Sequence, residues 1–358
     1  MNKIQPLSLK QAKVVSCVPI FAQSIANAQG MIVKGMDLNT TRTHIVFLDR
    51  ATLPPEIDLP PFTFPHELAT FESTSAAELA ERIAGADIVV TNKVPLTAEA
   101  IAAAPKLKFI AVAATGYDVI DLKACAARGI QVSNVRNYAT NTVPEHTFAL
   151  ILALRRNIVA YRQSVADGAW ARAGQFCYFD YPVNDLAGST IGIIGDGVLG
   201  QAVAHIARAF GMRPLYSTYK GVEGMGPLYT PFEEVLRVSD VLTLHAPLMP
   251  STRNMISDPE FALMERRPLL INTARGGLVD EEALGRALGN GQISGAGFDV
   301  ATVEPPASDH VLMRLLTYPN FILTPHIAWS SREAIRALAG QVVENIELFV
   351  QGRPRHLV

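Results

Sequence analysis

Paired cysteines, clustered positive charge and long apolar runs are all scarce in this 358-residue sequence, and each scarcity closes off a class of function. The three cysteines, Cys17, Cys125 and Cys177, are odd in number and far apart. They lack the close spacing that a tetrahedral zinc site or a disulfide framework requires, so they read as free thiols in a reducing compartment, and no metal is expected. Lys and Arg total 31 against 33 Asp and Glu, a formal net charge of −2, and they are scattered rather than gathered into runs. That leaves no electrostatic basis for binding nucleic acid or an anionic membrane surface. No segment approaches the ~20 apolar residues that a membrane span needs, and no repeat of fixed period or low-complexity tract is visible.

What is present is core material. Hydrophobic residues make up 49% of the chain, enough at this length to fill two domains rather than one. Residues 1–42 stand apart: Lys3, Lys10 and Lys13 precede the apolar run Val14 to Ala22, and Ala26-Asn27-Ala28 imitates a signal-peptidase site. The run is short and contains Ser16 and Pro19, so the segment reads as a dispensable extension of a cytoplasmic protein.

Past the extension, short β-branched runs alternate with helical patterns. His44 to Leu48, Ile88 to Thr91, Phe109 to Ala113 and Gln131 to Ser133 read as strands, and Ser75 to Ile83, Thr97 to Ala104 and Leu122 to Ala127 as helices. This alternation predicts an α/β fold with a parallel sheet flanked by helices. Val143 to Ala153 reads as a connecting helix, followed by an exposed loop up to Gly188. A second series then supplies strands at Thr190 to Ile194, Val241 to Leu244, Leu269 to Asn272, Ala296 to Asp299 and Phe321 to Leu323. The last helical pattern, Ser331 to Val350, has no strand after it in the second series and is placed to fold back on the first.

The most specific local signal begins at Ile191-Gly192-Ile193-Ile194, a buried-strand run that stops at Gly195-Asp196-Gly197-Val198-Leu199-Gly200 and leads into a helical pattern. In a strand–turn–helix of this kind Gly195 permits the tight turn, Gly197 lets a pyrophosphate approach the backbone, and Gly200 allows close helix–strand packing. The helix N-terminus adds free N–H groups and a partial positive charge. A dinucleotide-binding turn is therefore expected. The acidic residue that usually follows at the end of the next strand is missing, because Leu215-Tyr216-Ser217-Thr218-Tyr219-Lys220 offers no carboxylate. A carboxylate there binds the adenosine ribose of NAD and repels a 2′-phosphate, so Thr218 with Lys220 nearby leans toward NADP or toward no strong preference. The alternative, that Lys220 is only a solvated loop residue and NAD binds through other contacts, stays open.

Three polar groups lie at strand exits, where open α/β sheets place their ligands. Arg275 follows Leu269 to Asn272, Glu304 follows Phe298-Asp299-Val300, and His326 follows Phe321 to Thr324 and Pro325. A guanidinium presents a planar fork of donors suited to a carboxylate and to the oxygen of a reacting carbonyl. A carboxylate beside an imidazole favours the imidazolium, which equips His326 to donate a proton near neutral pH.

In order and approximate spacing, Gly195 to Gly200, His245-Ala246-Pro247-Leu248, Asn272 to Gly276, Gly297 to Val300 with Glu304-Pro305, and Pro325-His326 resemble the D-isomer-specific 2-hydroxyacid dehydrogenase family. The likeness runs from about His44 to the C-terminus. Phe109 to Asp121, Asn134 to His146 and Thr324 to Ser331 are similar to the bacterial glycerate dehydrogenase, or hydroxypyruvate reductase, group, and Trp329 fits that group as well.

The resemblance implies two Rossmann-like domains, with an NAD(P)-binding domain (143–326) inserted into a substrate-binding, catalytic domain (43–142 and 327–358), and a homodimer built largely on the cofactor domains and the Pro144 to Arg156 region. It implies that Arg275 anchors the substrate carboxylate, that His326 is the acid-base and that Glu304 pairs with it. Asp299 would hold the nicotinamide side of the cofactor, and Val198 and Leu199 would meet the pyrophosphate. Ala246, Pro247, Thr252 and Thr273 match other cofactor contacts, while Thr115, Gly116, Tyr138 and Lys93 match the substrate side. Close relatives usually carry an acid where Thr218 stands, so the family's NAD preference does not transfer directly. The implied reaction reduces hydroxypyruvate or glyoxylate. A rival reading is a nucleotide-sensing protein similar to the dehydrogenase-like corepressors, although the chain shows no basic or disordered regulatory tail.

Overall fold

The computed structural model describes residues 42–358. The extension expected over residues 1–42 therefore lies, Arg42 apart, outside the described residues. The first elements are β1 (Thr43–Phe47), β2 (His66–Thr70), α1 (Ala76–Ile83), β3 (Ile88–Thr91), α2 (Ala98–Ala102), β4 (Phe109–Val112), α3 (Leu122–Ala127) and β5 (Gln131–Ser133). Their strands form one parallel sheet in the order β2-β1-β3-β4-β5.

Three helices follow: α4 (Thr142–Arg155), α5 (Ile158–Ala166) and α6 (Ala169–Ala173). The chain then runs through β6 (Thr190–Ile194), α7 (Val198–Ala209), β7 (Arg213–Ser217), β8 (Tyr229–Thr230), α8 (Phe232–Val238) and β9 (Val241–Leu244). It continues with α9 (Asp258–Ala262), β10 (Leu269–Asn272), α10 (Glu281–Gly289), β11 (Gly295–Phe298), α11 (Val311–Leu315), β12 (Phe321–Leu323) and the long α12 (Arg332–Val350). The second sheet is also parallel, ordered β12-β11-β10-β9-β6-β7-β8.

Burial explains why the central strands are unbroken apolar runs. Every residue of β3, β4, β6, β9 and β10 is buried, as happens when helices cover both faces of a parallel sheet. α4 covers the seven-stranded sheet, with Leu150, Ile151 and Leu154 packed among Ile191, Val241 and Ile271. α12 returns to the five-stranded sheet, as its lack of a following strand suggests. Its Ile335, Leu338, Val342 and Ile346 join Ile45, Phe47 and Val90 in one core, and Phe349 stacks on Phe109 at 4.3 Å between ring centroids. Full burial of each such aliphatic side chain contributes roughly 1.5–3 kcal/mol, so this helix is integral to the first sheet.

Two stretches differ from expectation. β2 is an edge strand whose sequence, His-Glu-Leu-Ala-Thr, has no buried position, and it is held by its parallel register with β1, Thr43 opposite His66 through Phe47 opposite Thr70. The segment after α4 is not simply an exposed loop, because it forms α5 and α6. Asn157 (φ 48°) and Gly168 (φ 79°) adopt left-handed backbone and divide what would otherwise be one helix into three. Tyr161 then anchors the following chain, its hydroxyl donating to the Tyr181 carbonyl at 2.8 Å.

In the second sheet the order reverses between β6 and β9, which places the crevice that binds ligands at the carboxyl ends of those strands. In the first sheet the corresponding reversal lies between β1 and β3.

Candidate active site

At the end of β6 the chain turns at Gly195 (φ +111°), where a Cβ would lie 2.6 Å from the His245 carbonyl carbon. A Cβ on Gly200 would lie 2.0 Å from the Gly195 carbonyl oxygen, so α7 sits directly on the turn. At Gly197, by contrast, a Cβ would meet nothing within 4 Å. α7 starts with no side-chain cap, and among the described residues Val198 and Leu199 donate their N–H groups to no protein acceptor. An open face, two free N–H groups and a helix N-terminus fit the pyrophosphate of a dinucleotide.

The neighbouring segments close around this turn. His245 N–H bonds the Ile194 carbonyl at 2.7 Å and so brings Ala246 and Pro247 beside Gly195. Thr252 fastens the next turn, its hydroxyl donating to the Pro247 carbonyl at 2.7 Å. Thr273, at the exit of β10, is buried, with its hydroxyl 3.0 Å from that of Thr147 on α4.

Thr218 and Lys220 do not stand as the sequence suggests. The Thr218 side chain is buried, and its hydroxyl oxygen accepts the Phe232 N–H at 3.1 Å at the start of α8. Lys220 is neither free for a 2′-phosphate nor merely solvated: its ammonium pairs with the largely buried Glu260 at 2.8 Å and donates to the Met255 carbonyl at 3.1 Å. The carboxylate that does lie in this corner is Asp196, inside the glycine turn, which sequence reasoning passed over.

Arg275, Glu304 and His326 are each fixed by their surroundings. Asn272 shapes the turn after β10 by donating to the Arg275 carbonyl at 2.8 Å and accepting the Ala274 N–H at 3.1 Å. The Arg275 guanidinium lies against Gly116, where a Cβ would come within 2.3 Å of Nη2, and its Nε is 3.7 Å from the Asp118 carboxylate. The two Glu304 oxygens have separate tasks: Oε1 accepts the Ala301 N–H at 3.0 Å and Oε2 accepts His326 Nδ1–H at 2.6 Å. Partial burial acts to raise the Glu304 pKa, but the bonds from His326 and Ala301 outweigh it and hold the carboxyl below its ordinary value. Because a carboxylate can only accept, Nδ1 must carry a hydrogen, which leaves Nε2 as the exchangeable ring position.

Asp299 organises the histidine. It is 1% exposed, and its carboxylate accepts the Thr324 hydroxyl at 2.5 Å and the N–H groups of Ile327 and Ala328 at 2.9 and 2.8 Å. Its carbonyl accepts the His326 N–H at 2.8 Å, which holds His326 at a left-handed φ of 54°.

The five-stranded sheet contributes from its own strand ends. Asp49, buried just after β1, accepts the N–H groups of Asn92, Lys93 and Val94 and so presents Lys93 at the exit of β3. Lys93 is exposed along its length, yet the surrounding protein and the Arg275 charge lower its pKa, against the opposing pull of Glu304, Asp118 and Asp49. Thr115, beside Gly116, donates its hydroxyl to the Val135 carbonyl at 2.9 Å. Burial pushes the Tyr138 phenol up to about 12, with Arg275 acting in the opposite sense, and its ring meets Trp329 edge-on. Arg275 thus feels both Lys93 and Tyr138. Asp49 left no local sequence signal, since its partners are more than forty residues away.

Comparison with known proteins gives a consistent result. Residues 148–328 match the family described as D-isomer specific 2-hydroxyacid dehydrogenase, NAD binding domain. The chain is 51% identical to a glycerate dehydrogenase of Methylorubrum extorquens, over 88% of this chain and 98% of that protein. It is 36% identical to a hydroxypyruvate reductase of Blautia hydrogenotrophica, over 88% of this chain and 99% of that protein. A solved D-lactate dehydrogenase from Aquifex aeolicus, complexed with NAD and lactic acid, superposes with a TM-score of 0.74 at 29% identity, over 86% of this chain and 96% of that one. With the glycine turn, the polar strand exits and these matches in agreement, the chain belongs to the D-isomer specific 2-hydroxyacid dehydrogenase family.

Proposed function

We propose that the protein reduces a small 2-oxo acid to the 2-hydroxy acid at the expense of NADH or NADPH, with hydroxypyruvate, giving D-glycerate, and glyoxylate, giving glycolate, as its substrates. The observation that carries this reading is the 2.6 Å bond between His326 Nδ1 and Glu304, with Lys93 near enough to feel the charges of both Glu304 and the Arg275 guanidinium. The similarity to glycerate dehydrogenase and hydroxypyruvate reductase supports the choice of acids. Residues 143–326 form the cofactor-binding domain in this reading, and residues 43–142 with 327–358 form the substrate-binding domain.

The cofactor, when bound, supplies a hydride to C2 of the acid. Val198 and Leu199 N–H groups at the α7 terminus, flanked by Gly195, Gly197 and Gly200, would hold its pyrophosphate. Ala246, Pro247, Thr252 and Thr273 would line the rest of its site, and Asp299 would hold its nicotinamide side. Arg275 binds the substrate carboxylate and polarises its carbonyl, with Thr115, Gly116, Lys93 and Tyr138 completing the acid-binding side. His326 delivers the proton of Nε2 to the developing alkoxide while Glu304 keeps the charged ring oriented, so hydride and proton together convert C=O to CH–OH. The protein acts in the cytoplasm as a homodimer.

Loss of nicotinamide absorbance is the direct test, with hydroxypyruvate, glyoxylate and pyruvate each offered alongside NADH and NADPH. Rapid oxidation with hydroxypyruvate or glyoxylate is expected. Oxidation with none of the six pairs would sink the reading, as would pyruvate turned over far faster than the other two acids, which would move the substrate class.

A further inference from the structure

In a doubly wound sheet the dinucleotide pyrophosphate sits at the helix N-terminus, and the adenosine ribose sits between the glycine turn and the end of the second strand, where a carboxylate normally meets it. Here the second strand, β7, ends at Ser217; Thr218 just past it has its hydroxyl oxygen committed to α8, and Lys220 is committed to Glu260. The corner still contains a carboxylate. Asp196, between the first two glycines, receives the Tyr219 hydroxyl on Oδ1 at 3.3 Å and the Tyr229 hydroxyl on Oδ2 at 2.5 Å. Tyr219 directly follows Thr218, and Tyr229 belongs to β8, which pairs with the end of β7. Both hydroxyls thus draw Asp196 from the glycine turn toward the segment that borders the ribose.

The bond from Tyr229 chiefly, with smaller help from the Asp196 N–H and Tyr219, outweighs burial and lowers the Asp196 pKa, so the group is charged at neutral pH. A carboxylate offers about four lone-pair sites, and these three donors leave room for a ribose hydroxyl.

Resting on the dehydrogenase reading above, we infer that Asp196 takes over the task of the missing β7 carboxylate: it accepts hydrogen bonds from the adenosine ribose and repels a 2′-phosphate, so the protein selects NAD(H) over NADP(H). The selectivity is by repulsion as much as by attraction, since an ionised carboxylate beside a phosphate penalises the wrong ligand. It also reverses the expectation drawn from Thr218 and Lys220 alone.

The test is calorimetric titration with ADP-ribose and 2′-phospho-ADP-ribose, which carry the distinguishing group but no reactive nicotinamide. The wild-type protein is expected to bind ADP-ribose more tightly by about tenfold or more. Asp196→Asn, which keeps the shape of the side chain and one acceptor oxygen but turns the other into an NH2 donor and removes the charge, is expected to strengthen 2′-phospho-ADP-ribose binding by about 10- to 100-fold and to weaken ADP-ribose binding a few-fold. Tyr229→Phe, which keeps the charge, should still discriminate against the phosphate. Equal or tighter binding of the phosphorylated probe by the wild type overturns the inference without touching the dehydrogenase reading, and so does an unchanged ratio in Asp196→Asn. Failure of the wild type to bind either probe would remove both. Should Asp196→Asn not fold, the wild-type ratio and Tyr229→Phe still decide.

Discussion

The 2.6 Å bond between His326 Nδ1 and Glu304 Oε2 decides which nitrogen of the imidazole is left for proton transfer. Replacing His326 with Ala is expected to lower turnover of hydroxypyruvate by about 10²–10⁴-fold, the usual worth of a positioned acid-base. Titrating NADH into the variant by fluorescence should show affinity close to wild type, because His326 touches none of the glycine turn. Glu304 adds a pH signature. Its folded pKa lies below the ordinary carboxylate value of 4.5, so its contribution to stability is present above that value and is lost as pH falls through the depressed one. Urea unfolding of wild type and Glu304→Gln should therefore differ most near neutrality and converge below about pH 4.5. At this scale the sequence was readable where a polar side chain stands at a strand exit, as with Arg275, Glu304 and His326. It was silent on Asp49 and Asp196, whose meaning comes from partners 43 and 33 residues away along the chain.

Elements impose their own constraints on the site. α7 reaches β6 only because Gly200 lacks a Cβ, which would otherwise lie 2.0 Å from a backbone oxygen. Gly200→Ala should push the helix off the turn and weaken NADH binding by at least about tenfold, while the acid-binding side stays formed. The loop after β3 depends on Asp49 in a comparable way, since this buried carboxylate satisfies three consecutive N–H groups. Asp49→Ala should cost about 2–4 kcal/mol in urea unfolding and raise KM for the 2-oxo acid as Lys93 loses its support. The same physics explains which elements could be read in advance. Strands buried on both faces, such as β6 and β10, announce themselves as apolar runs, whereas β2 has no buried position and is defined by backbone bonds to β1 that no residue pattern encodes. The break between α4, α5 and α6 hinges on Asn157 and Gly168 taking left-handed backbone, a choice that composition permits but does not dictate.

Over the whole molecule, several large exposed apolar groups fall within residues 158–179. Ile158, Val159 and Trp170 are about half exposed, and Phe176 and Phe179 are 89% and 87% exposed. Large apolar side chains left this exposed are the expected mark of a partner-covered face, which supports the proposed homodimer. Phe176→Asp combined with Phe179→Asp should shift sedimentation from dimer toward monomer, and a monomeric wild type would refute the dimer outright. The return of α12 to the first sheet has a separate consequence for how the protein is made. Thr63 bonds through its N–H and hydroxyl to Glu347, 284 residues downstream, and the core around Ile45 and Phe47 is closed by side chains from α12. The seven-stranded sheet, drawn from one uninterrupted stretch, needs nothing that follows it. On a ribosome the middle of this polypeptide can therefore mature first, while the β-strands synthesised at the outset wait for the final helix to emerge.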